Sequence, residues 1–238
     1  MLVNKTPTIM RENRLLAALP TYEYERLVPH LKFVALSSGE FLYEPEEPIT
    51  QVYFPNNSVV SVIITTENGS TVEVGLVGNE GMVGIPVILG GNTTTTSGIV
   101  QIPGSAMQMN ADIVKIEFER GGLLQKLLLR YVQALHAQVS QAAVCNRLHT
   151  LEARLARWLL TVSDRIQSDE LPLTQEYISH MLGVRRSGVT VAAGTLSEQG
   201  IISYHRGHIT ILNREGLEAT SCECYRSIKY ELARLLGN

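Results

Sequence analysis

The chain has 238 residues, of which 45% are hydrophobic, 18% are charged and three are cysteine, and its net charge is −3. This composition is typical of a folded protein with one large or two modest domains, and three cysteines cannot build a disulfide framework. The apolar runs at residues 59–64 and 83–89 are too short to span a bilayer, and the N-terminus lacks the pattern of a secretory signal. We expect a cytoplasmic protein without membrane contact.

The charge is distributed unevenly along the chain. Residues 147–238 carry 11 Lys and Arg against 10 Asp and Glu, whereas residues 1–146 carry 9 against 13. The net charge of −3 argues against a protein that coats nucleic acid indiscriminately. Any nucleic-acid contact of the C-terminal part would involve few phosphates per chain. Affinity would then have to come from two copies of the chain binding together.

The N-terminal half begins with a predicted helical entry over residues 11–31, which has leucines on one face. From about Lys32 to Val114, short β-branched runs alternate with turn clusters such as Asn68-Gly69. Many short strands at a spacing of about 8–12 residues are typical of a β-sandwich or small barrel. The predicted strands are residues 51–54, 59–66, 71–76, 98–102 and 106–109.

A long helix is predicted from Phe118 to about Asn146, because this stretch has no proline and, after Gly122, no glycine. Apolar residues spaced +4, +3, +4, +3 form a heptad seam along it. Two interpretations stay open: the helix packs on its own β-domain, or it also forms a parallel coiled-coil contact in a homodimer. The seam residues are Leu128, Val132, Leu135, Val139 and Ala142.

Residues 175–196 have the pattern of a helix-turn-helix, with Gly183 at the turn, where a positive φ ends the first helix. Short or cationic side chains, which suit phosphates and base edges, lie between the inward-facing positions. The N-terminus of the first helix can offer backbone amides to a phosphate. The predicted DNA-contacting residues here are Thr174, Gln175, Arg185, Arg186, Ser187 and Thr190.

The elements around this motif complete a winged helix. A helix is predicted over residues 149–166, and a hairpin over residues 201–212 has Arg206 at its tip, facing the DNA backbone or minor groove. Gly200 closes the second helix of the motif. Residues 213–237 return to helical spacing.

A β-domain, a long helix and a winged helix, in that order, resemble the Crp–Fnr family of bacterial transcription regulators. The resemblance covers roughly residues 12–212 and is specific in the C-terminal third. It is carried by LEARLARWLL at residues 151–160, LTQEYIS at 173–179 and LSEQGII at 196–202, and by glycine-placed turns at Gly39-Glu40, followed by Pro45, and at 78–84.

The resemblance implies an α+β fold with three parts. Residues 1–117 would form an N-terminal β-roll, a jelly roll of the cyclic-nucleotide-binding type that senses a signal. Residues 118–146 would form the dimerisation helix, and residues 147–238 the C-terminal winged helix-turn-helix domain.

The implied function is that of a sequence-specific regulator, not an enzyme, which binds a pseudo-palindromic operator in double-stranded DNA as a homodimer and works with RNA polymerase. Arg186 matches a family arginine that reads guanine. The family's neighbouring glutamate and next arginine are Ser187 and Val191 here, so we expect a different operator. Whether the chain activates or represses is left open by the sequence.

The effector site is where the chain departs most from the family. Members that bind a cyclic nucleotide hold its ribose with a Gly-Glu pair and its phosphate with an Arg-Ser/Thr pair; the matching positions are Gly84-Ile85 and Thr95-Thr96. A buried phosphate without its guanidinium loses charge-assisted bonds of roughly 1.5–3 kcal/mol each. We expect no tight binding of cyclic AMP or cyclic GMP, and the small-molecule effector stays unidentified.

No cofactor or metal site is predicted from the sequence. The chain has no cysteine before Cys145, which disfavours the family's N-terminal iron–sulfur cluster, and His30 is the only histidine before the long helix, which disfavours haem. Cys222 and Cys224 are interpreted as a pair of thiols, because a metal site would need two further ligands whose position the sequence does not give.

Other function classes receive less support. A cupin-type enzyme needs clustered histidines on its strands, and residues 32–114 contain none. A protein-interaction adaptor whose winged helix no longer binds DNA is compatible with Ser187 and Val191, and the pair Arg185-Arg186 would then be solvated surface charge. Gly188 and Gly194 each cost about 1 kcal/mol of helix stability, and they either permit a close approach or are simply tolerated.

Overall fold

The computed structural model describes residues 12–237, so the start of the predicted helical entry and both chain ends lie outside the described residues. Two short helices, α1 (Arg14–Ala17) and α2 (Thr21–Leu27), precede seven strands. Their leucines, including Leu15, Leu16 and Leu27, are buried as the sequence predicts. The strands are β1 (Lys32–Leu36), β2 (Phe41–Tyr43), β3 (Gln51–Pro55), β4 (Val59–Thr65), β5 (Thr71–Val77), β6 (Ser97–Ile102) and β7 (Gly104–Asn110).

The seven strands form the predicted β-roll from two antiparallel sheets, with strand orders β1-β7-β3 and β2-β6-β4-β5. Apolar side chains of both sheets, such as Phe54, Val100 and Met107, meet in one core. All five predicted strands are confirmed to within two residues at each end. The two strands that the sequence analysis did not predict, β1 and β2, are largely exposed or half-buried and so lack a strong apolar pattern.

The long helix is α4 (Gly122–Leu148), and it begins four residues later than predicted. Phe118 belongs instead to a separate helix, α3 (Ala111–Glu119). Gly121 and Gly122 both have φ above +80°, a backbone conformation that breaks the helix between them. The carboxylate of Glu23 accepts the amide hydrogens of Leu123 and Leu124 at 2.9 Å each, which satisfies donors that a helix start leaves unpaired.

The face of α4 that carries the predicted seam packs largely on its own chain. Leu128 is fully buried in the β-roll core, so its assignment to a contact between subunits is wrong. Val132 and Leu135 are partly buried against the same core. Ala142 lines a small cavity with Trp158 of the next helix, and Val139 is 39% exposed. The contact with the chain's own β-domain therefore takes up most of this seam.

The C-terminal part has the predicted winged-helix order. Helix α5 (Leu151–Ile166) begins after Thr150, whose hydroxyl oxygen accepts the amide hydrogen of Ala153. A short strand β8 (Glu170–Leu171) pairs with β10, which makes the wing a three-stranded sheet. The other elements are α6 (Gln175–Leu182), α7 (Arg186–Glu198), β9 (Ile202–His205), β10 (His208–Ile211), α8 (Arg214–Thr220) and α9 (Cys224–Leu236).

The outer face of the sheet β2-β6-β4-β5 docks on the winged helix. Val59, Ile63, Leu76 and Ile102 share a second apolar core with Trp158 and other side chains of α5 to α8. This arrangement buries β4 on both faces and holds the winged helix against the β-roll. Among residues 12–237, no helix has both the length and the apolar character that a membrane span requires.

Candidate nucleic-acid interface

The helix-turn-helix has the turn that the sequence predicts. Gly183 ends α6 in the left-handed conformation, at φ 62° and ψ 42°, and its position is tight: an added Cβ would lie 3.1 Å from Val72 of β5. The residues at the inward-facing positions of the motif are buried, and Val184 packs against them; they are Ile178, Leu182, Val189 and Ala192. The local pattern alone was sufficient to place these two helices.

The outer face of α7 is exposed to solvent. Arg185, Arg186, Ser187 and Thr190 are all exposed, and Val191 is 65% exposed. The guanidinium of Arg186 lies 3.9 Å from the carboxylate of Glu176, and both side chains are about two-thirds exposed, so this pair is weak. Arg186 can therefore leave Glu176 for a base or phosphate at little cost.

Hydrogen bonds and close contacts connect α7, the start of α6 and the wing. The Thr190 hydroxyl donates to Gln175 Oε1 at 2.8 Å. The backbone N–H of Gln175 donates to the Tyr204 hydroxyl of the wing at 3.4 Å, so this N–H is not free for a phosphate in this conformation. Thr174 uses its hydroxyl oxygen to cap α6, accepting the amide hydrogen of Tyr177 at 3.2 Å.

The wing is the predicted hairpin, and it has a tight turn at its tip. His205 pairs with His208, so the turn contains two residues, Arg206 and Gly207, with φ of 46° and 82°. Positive φ at both positions is the geometry of a type I′ turn, which matches the twist of a hairpin. Arg206 is exposed at the tip, and an added Cβ on Gly207 would lie 3.4 Å from the Thr174 side chain. The exposed residues of α7 and the tip of the wing thus form one continuous surface from Arg186 to Arg206. This surface, called the α7 face hereafter, consists of Arg185, Arg186, Ser187, Thr190 and Arg206.

The four residues of the predicted effector pocket present no charged group to a phosphate. Gly84 has a φ of 98°, and Ile85 is buried in the β-roll core at the start of a 3₁₀ helix, Ile85–Leu89. Thr95 is exposed, whereas the Thr96 hydroxyl lies 3.5 Å from the Tyr43 hydroxyl. The position that would need a carboxylate therefore holds a buried aliphatic side chain.

A cavity of about 430 Å³ lies away from this region, between the β-roll, α5 and α9. Its wall includes Glu80 and Arg165, which form a buried ion pair at 2.9 Å, and the apolar side chains Ile228 and Leu232. The Arg165 guanidinium also donates to Gln138 of α4 at 2.8 Å and to the carbonyl of Leu76 at 3.2 Å. These bonds occupy the donors of Arg165. Through them, Arg165 links its own helix α5 to the β-roll and to α4.

A cluster that the sequence analysis missed lies at the other end of α4. Cys145 and His149, one helical turn apart, meet Cys222 and Cys224, and the four possible ligand atoms all lie within 4.8 Å of one another. These are the two further ligands that the sequence did not place. The four-residue spacing of Cys145 and His149 was the available signal, but the 77 residues between Cys145 and Cys222 concealed their contact.

Two family models match the chain. Residues 153–220 match the Crp-like helix-turn-helix domain, and residues 33–120 match the cyclic nucleotide-binding domain. These matches cover the winged helix and the β-roll described above. No curated protein sequence matches the chain significantly.

Solved structures share the fold at low sequence identity. FixK2 from Bradyrhizobium japonicum has a TM-score of 0.67 at 16% identity, over 81% of this chain and 98% of that one. A CRP-family transcriptional regulator from Thermus thermophilus has a TM-score of 0.67 at 17% identity, over 80% and 96%. The c-di-GMP responsive regulator CLP from Xanthomonas campestris has a TM-score of 0.65 at 12% identity, over 81% and 99%.

Proposed function

The chain belongs to the Crp–Fnr family of transcription regulators, which are not enzymes, and we propose that it binds a pseudo-palindromic operator in double-stranded DNA as a homodimer. The observation that carries this proposal is the α7 face. It is exposed, it carries Arg185, Arg186 and Arg206, and the carboxylate of Glu176 is paired only loosely with Arg186. Arg186 at the first position of α7 suits a bidentate contact with guanine in the major groove.

We propose that the second subunit contacts the exposed side of α4. Leu129 is 48% exposed and Val139 is 39% exposed, with half-buried Val132 and exposed His136 and Ala143 completing the row. The row has a heptad spacing of +3, +4, +3, +4, one helix face away from Leu128. Two winged helices joined in this way would meet half-sites roughly 34–36 Å apart.

Doubling the site compensates for the weak charge of each half. The winged-helix part carries 11 Lys and Arg against 10 Asp and Glu, so each subunit neutralises few phosphates. A second set of contacts on the same DNA raises affinity through effective concentration, without requiring a more basic surface.

The effector is proposed to be something other than cyclic AMP or cyclic GMP. Support comes from the buried aliphatic Ile85 and the uncharged Thr95 at the positions that would hold the ribose and the phosphate. We also propose that the regulator acts in the cytoplasm together with RNA polymerase, as its family membership implies.

Selection of bound DNA from a random pool, with the full-length chain, tests this function. We expect enrichment of an inverted repeat whose half-site centres lie about 10–10.5 base pairs apart. The enriched site should bind in a salt-dependent way in a mobility shift. Failure to enrich any sequence, with no salt-dependent shift, would favour the protein-interaction adaptor instead.

A further inference from the structure

Three thiols and one imidazole come together where α4 meets the C-terminal helix. Cys145 lies in the last turn of α4, and His149 directly follows that helix. Cys224 is the first residue of α9, and Cys222 lies two residues before it. The Cys145 and Cys222 sulfurs are 3.5 Å apart, and the Cys224 sulfur is 3.5 Å from His149 Nδ1.

The site is shielded from solvent by the surrounding helices. Cys145 and Cys224 are fully buried and Cys222 is 7% exposed, whereas the imidazole of His149 is 18% exposed. A soft metal ion is the ligand that three thiolates and an imidazole recognise.

We propose that Cys145, His149, Cys222 and Cys224 bind one zinc ion. Structural zinc sites of the Cys₃His type are tetrahedral, with Zn–S distances of about 2.3 Å and Zn–N distances of about 2.0–2.1 Å. Those distances place neighbouring ligand atoms about 3.5–3.8 Å apart. The observed separations, from 3.5 Å up to at most 4.8 Å, approach this geometry and need only small side-chain rotations.

The groups around the cluster orient its ligands as metal sites require. His149 Nε2 lies 3.3 Å from the Glu223 carboxylate, so a hydrogen on Nε2 donates to Glu223 and leaves the Nδ1 lone pair facing the sulfurs. Gln141 Nε2 donates to the Cys224 sulfur at 3.1 Å. Carboxylate–histidine pairs of this kind are typical of zinc sites.

The local charge also suits a zinc–thiolate complex. Three thiolates, a neutral imidazole and Zn²⁺ sum to a single negative charge. Arg154 and Arg157 are both buried; Arg157 interacts electrostatically with Cys145, and Arg154 with Cys145 and Cys222. Two buried cations stabilise a net negative complex at this position.

Two other uses of the cysteines explain less of the geometry. A disulfide between Cys145 and Cys222 would require the sulfurs to approach to about 2.05 Å and would leave Cys224 and His149 without a role. An iron–sulfur cluster places several iron and sulfide atoms among its ligands, which needs more room than donor atoms within 4.8 Å provide. Both are outcomes of the test below.

The ion would join parts of the chain that are far apart in sequence. It would tie the start of α9 to the junction of α4 and α5, which is the joint from which the winged helix leaves the long helix. This site goes beyond DNA binding and does not depend on it. In the zinc-bound protein, the ion would hold the angle between α4 and α5 fixed.

The test measures metal content and affinity in the full-length protein, purified under reducing conditions without chelator. We expect about one zinc per chain by mass spectrometry of the elements. Co²⁺ added to the metal-free protein should give the visible absorption of tetrahedral cobalt with thiolate ligands. Cys222→Ser and Cys224→Ser should each weaken zinc affinity at least about 100-fold, whereas His30→Ala, which removes an exposed histidine outside the cluster, should leave it unchanged.

Glu223→Gln covers the case in which a cysteine variant does not fold. It leaves all four ligands in place and should weaken zinc about 10–100-fold. Zinc substantially below one per chain, together with no tetrahedral cobalt spectrum in the metal-free wild type, would overturn the proposal. So would bound iron and sulfide, or a Cys145–Cys222 disulfide in the mass of the unreduced protein.

Discussion

At the scale of single residues, Glu73 is the side chain whose surroundings are most unusual for its chemistry. Its side chain is half-buried between the β-roll and the winged helix, and as a carboxylate it accepts hydrogen bonds from Trp158 Nε1 at 2.9 Å and from the Ser61 hydroxyl at 2.7 Å. Ser61 also lies 2.8 Å from Gln101 Oε1, although it has only one hydrogen to donate. When Glu73 is protonated the direction of its bond with Ser61 reverses: Glu73 donates to Ser61 and Ser61 donates to Gln101, so both contacts are satisfied. Burial, which outweighs the hydrogen bonds and nearby arginines, raises the pKa of Glu73 to about 7.

Glu73→Gln should therefore remove a pH dependence of stability. The folded-state pKa lies above the ordinary value of 4.5, so between these values the native protein binds more protons than the unfolded chain. Stability accordingly falls as the pH rises from about 4.5 to about 7 and is level above that range. Glutamine reproduces the neutral hydrogen-bond pattern, so the variant should be at least as stable as wild type at pH 8.

Urea unfolding at pH 5 and pH 8 measures this effect. The control is Glu67→Gln, at an exposed position, which should show the same change in unfolding midpoint between the two pH values as wild type. An equal change in the unfolding midpoint between the two pH values for wild type and Glu73→Gln would show that Glu73 does not carry the dependence.

At the scale of elements, α4 illustrates what a hydrophobic pattern can and cannot predict. The heptad spacing correctly predicts an apolar face, but it does not say what covers that face. Leu128 is buried in the core of its own β-roll, while its neighbour Leu129 and the seam residue Val139 further along the helix are exposed. The two helices of the helix-turn-helix were placed correctly because Gly183 and the inward-facing residues determine them locally.

The features that the sequence did not reveal depend on contacts between distant segments. Glu73 and Trp158 are 85 residues apart, and Cys145 and Cys222 are 77 apart. Neither pair has a local spacing that would identify its partner. The break at Gly121-Gly122 was visible as a glycine pair, but only the positive φ of both residues shows that it separates two helices.

Leu129→Asp should weaken the proposed dimer. The substitution places carboxylates on the exposed row of α4, where the contact between subunits would bury them or bring like charges together. The dissociation constant of the dimer should rise at least about 10-fold by sedimentation equilibrium. Ile116→Asp on α3, where the native side chain is similarly exposed at 49%, should have no effect. Equal association of both variants would place the dimer contact elsewhere.

At the scale of the whole molecule, the β-roll, the long helix and the winged helix are mechanically connected. Arg165 of α5 bonds Glu80 of the β-roll at 3.0 Å and Gln138 of α4 at 2.8 Å, all within the protein interior. Breaking one partner of such a buried pair typically costs about 3–5 kcal/mol. A displacement of Glu80 in the β-roll would therefore also displace Arg165 and its helix α5, which is the first helix of the DNA-binding part.

Cyclic nucleotides should not be the signal that acts on this connection. Calorimetric titration of the full-length protein with cyclic AMP or cyclic GMP should give no saturable heat at micromolar concentrations, and the control ligand 5′-AMP should behave alike. The reason is the absence of a cation at Thr95 and of a carboxylate at Ile85, which would leave the phosphate and ribose unpaired. A dissociation constant of micromolar or better would refute this account of the pocket.

The central claim is that α7 reads DNA sequence through Arg186, and the most direct test compares Arg186→Ala with wild type on the selected operator and on versions altered at each base pair. Arg226→Ala, an exposed arginine on α9, is the matched control and should bind as wild type does. The account predicts that Arg186→Ala loses about 1–3 kcal/mol of binding free energy and no longer discriminates at one base pair of each half-site. Equal weakening on every sequence, or no weakening at all, would contradict it.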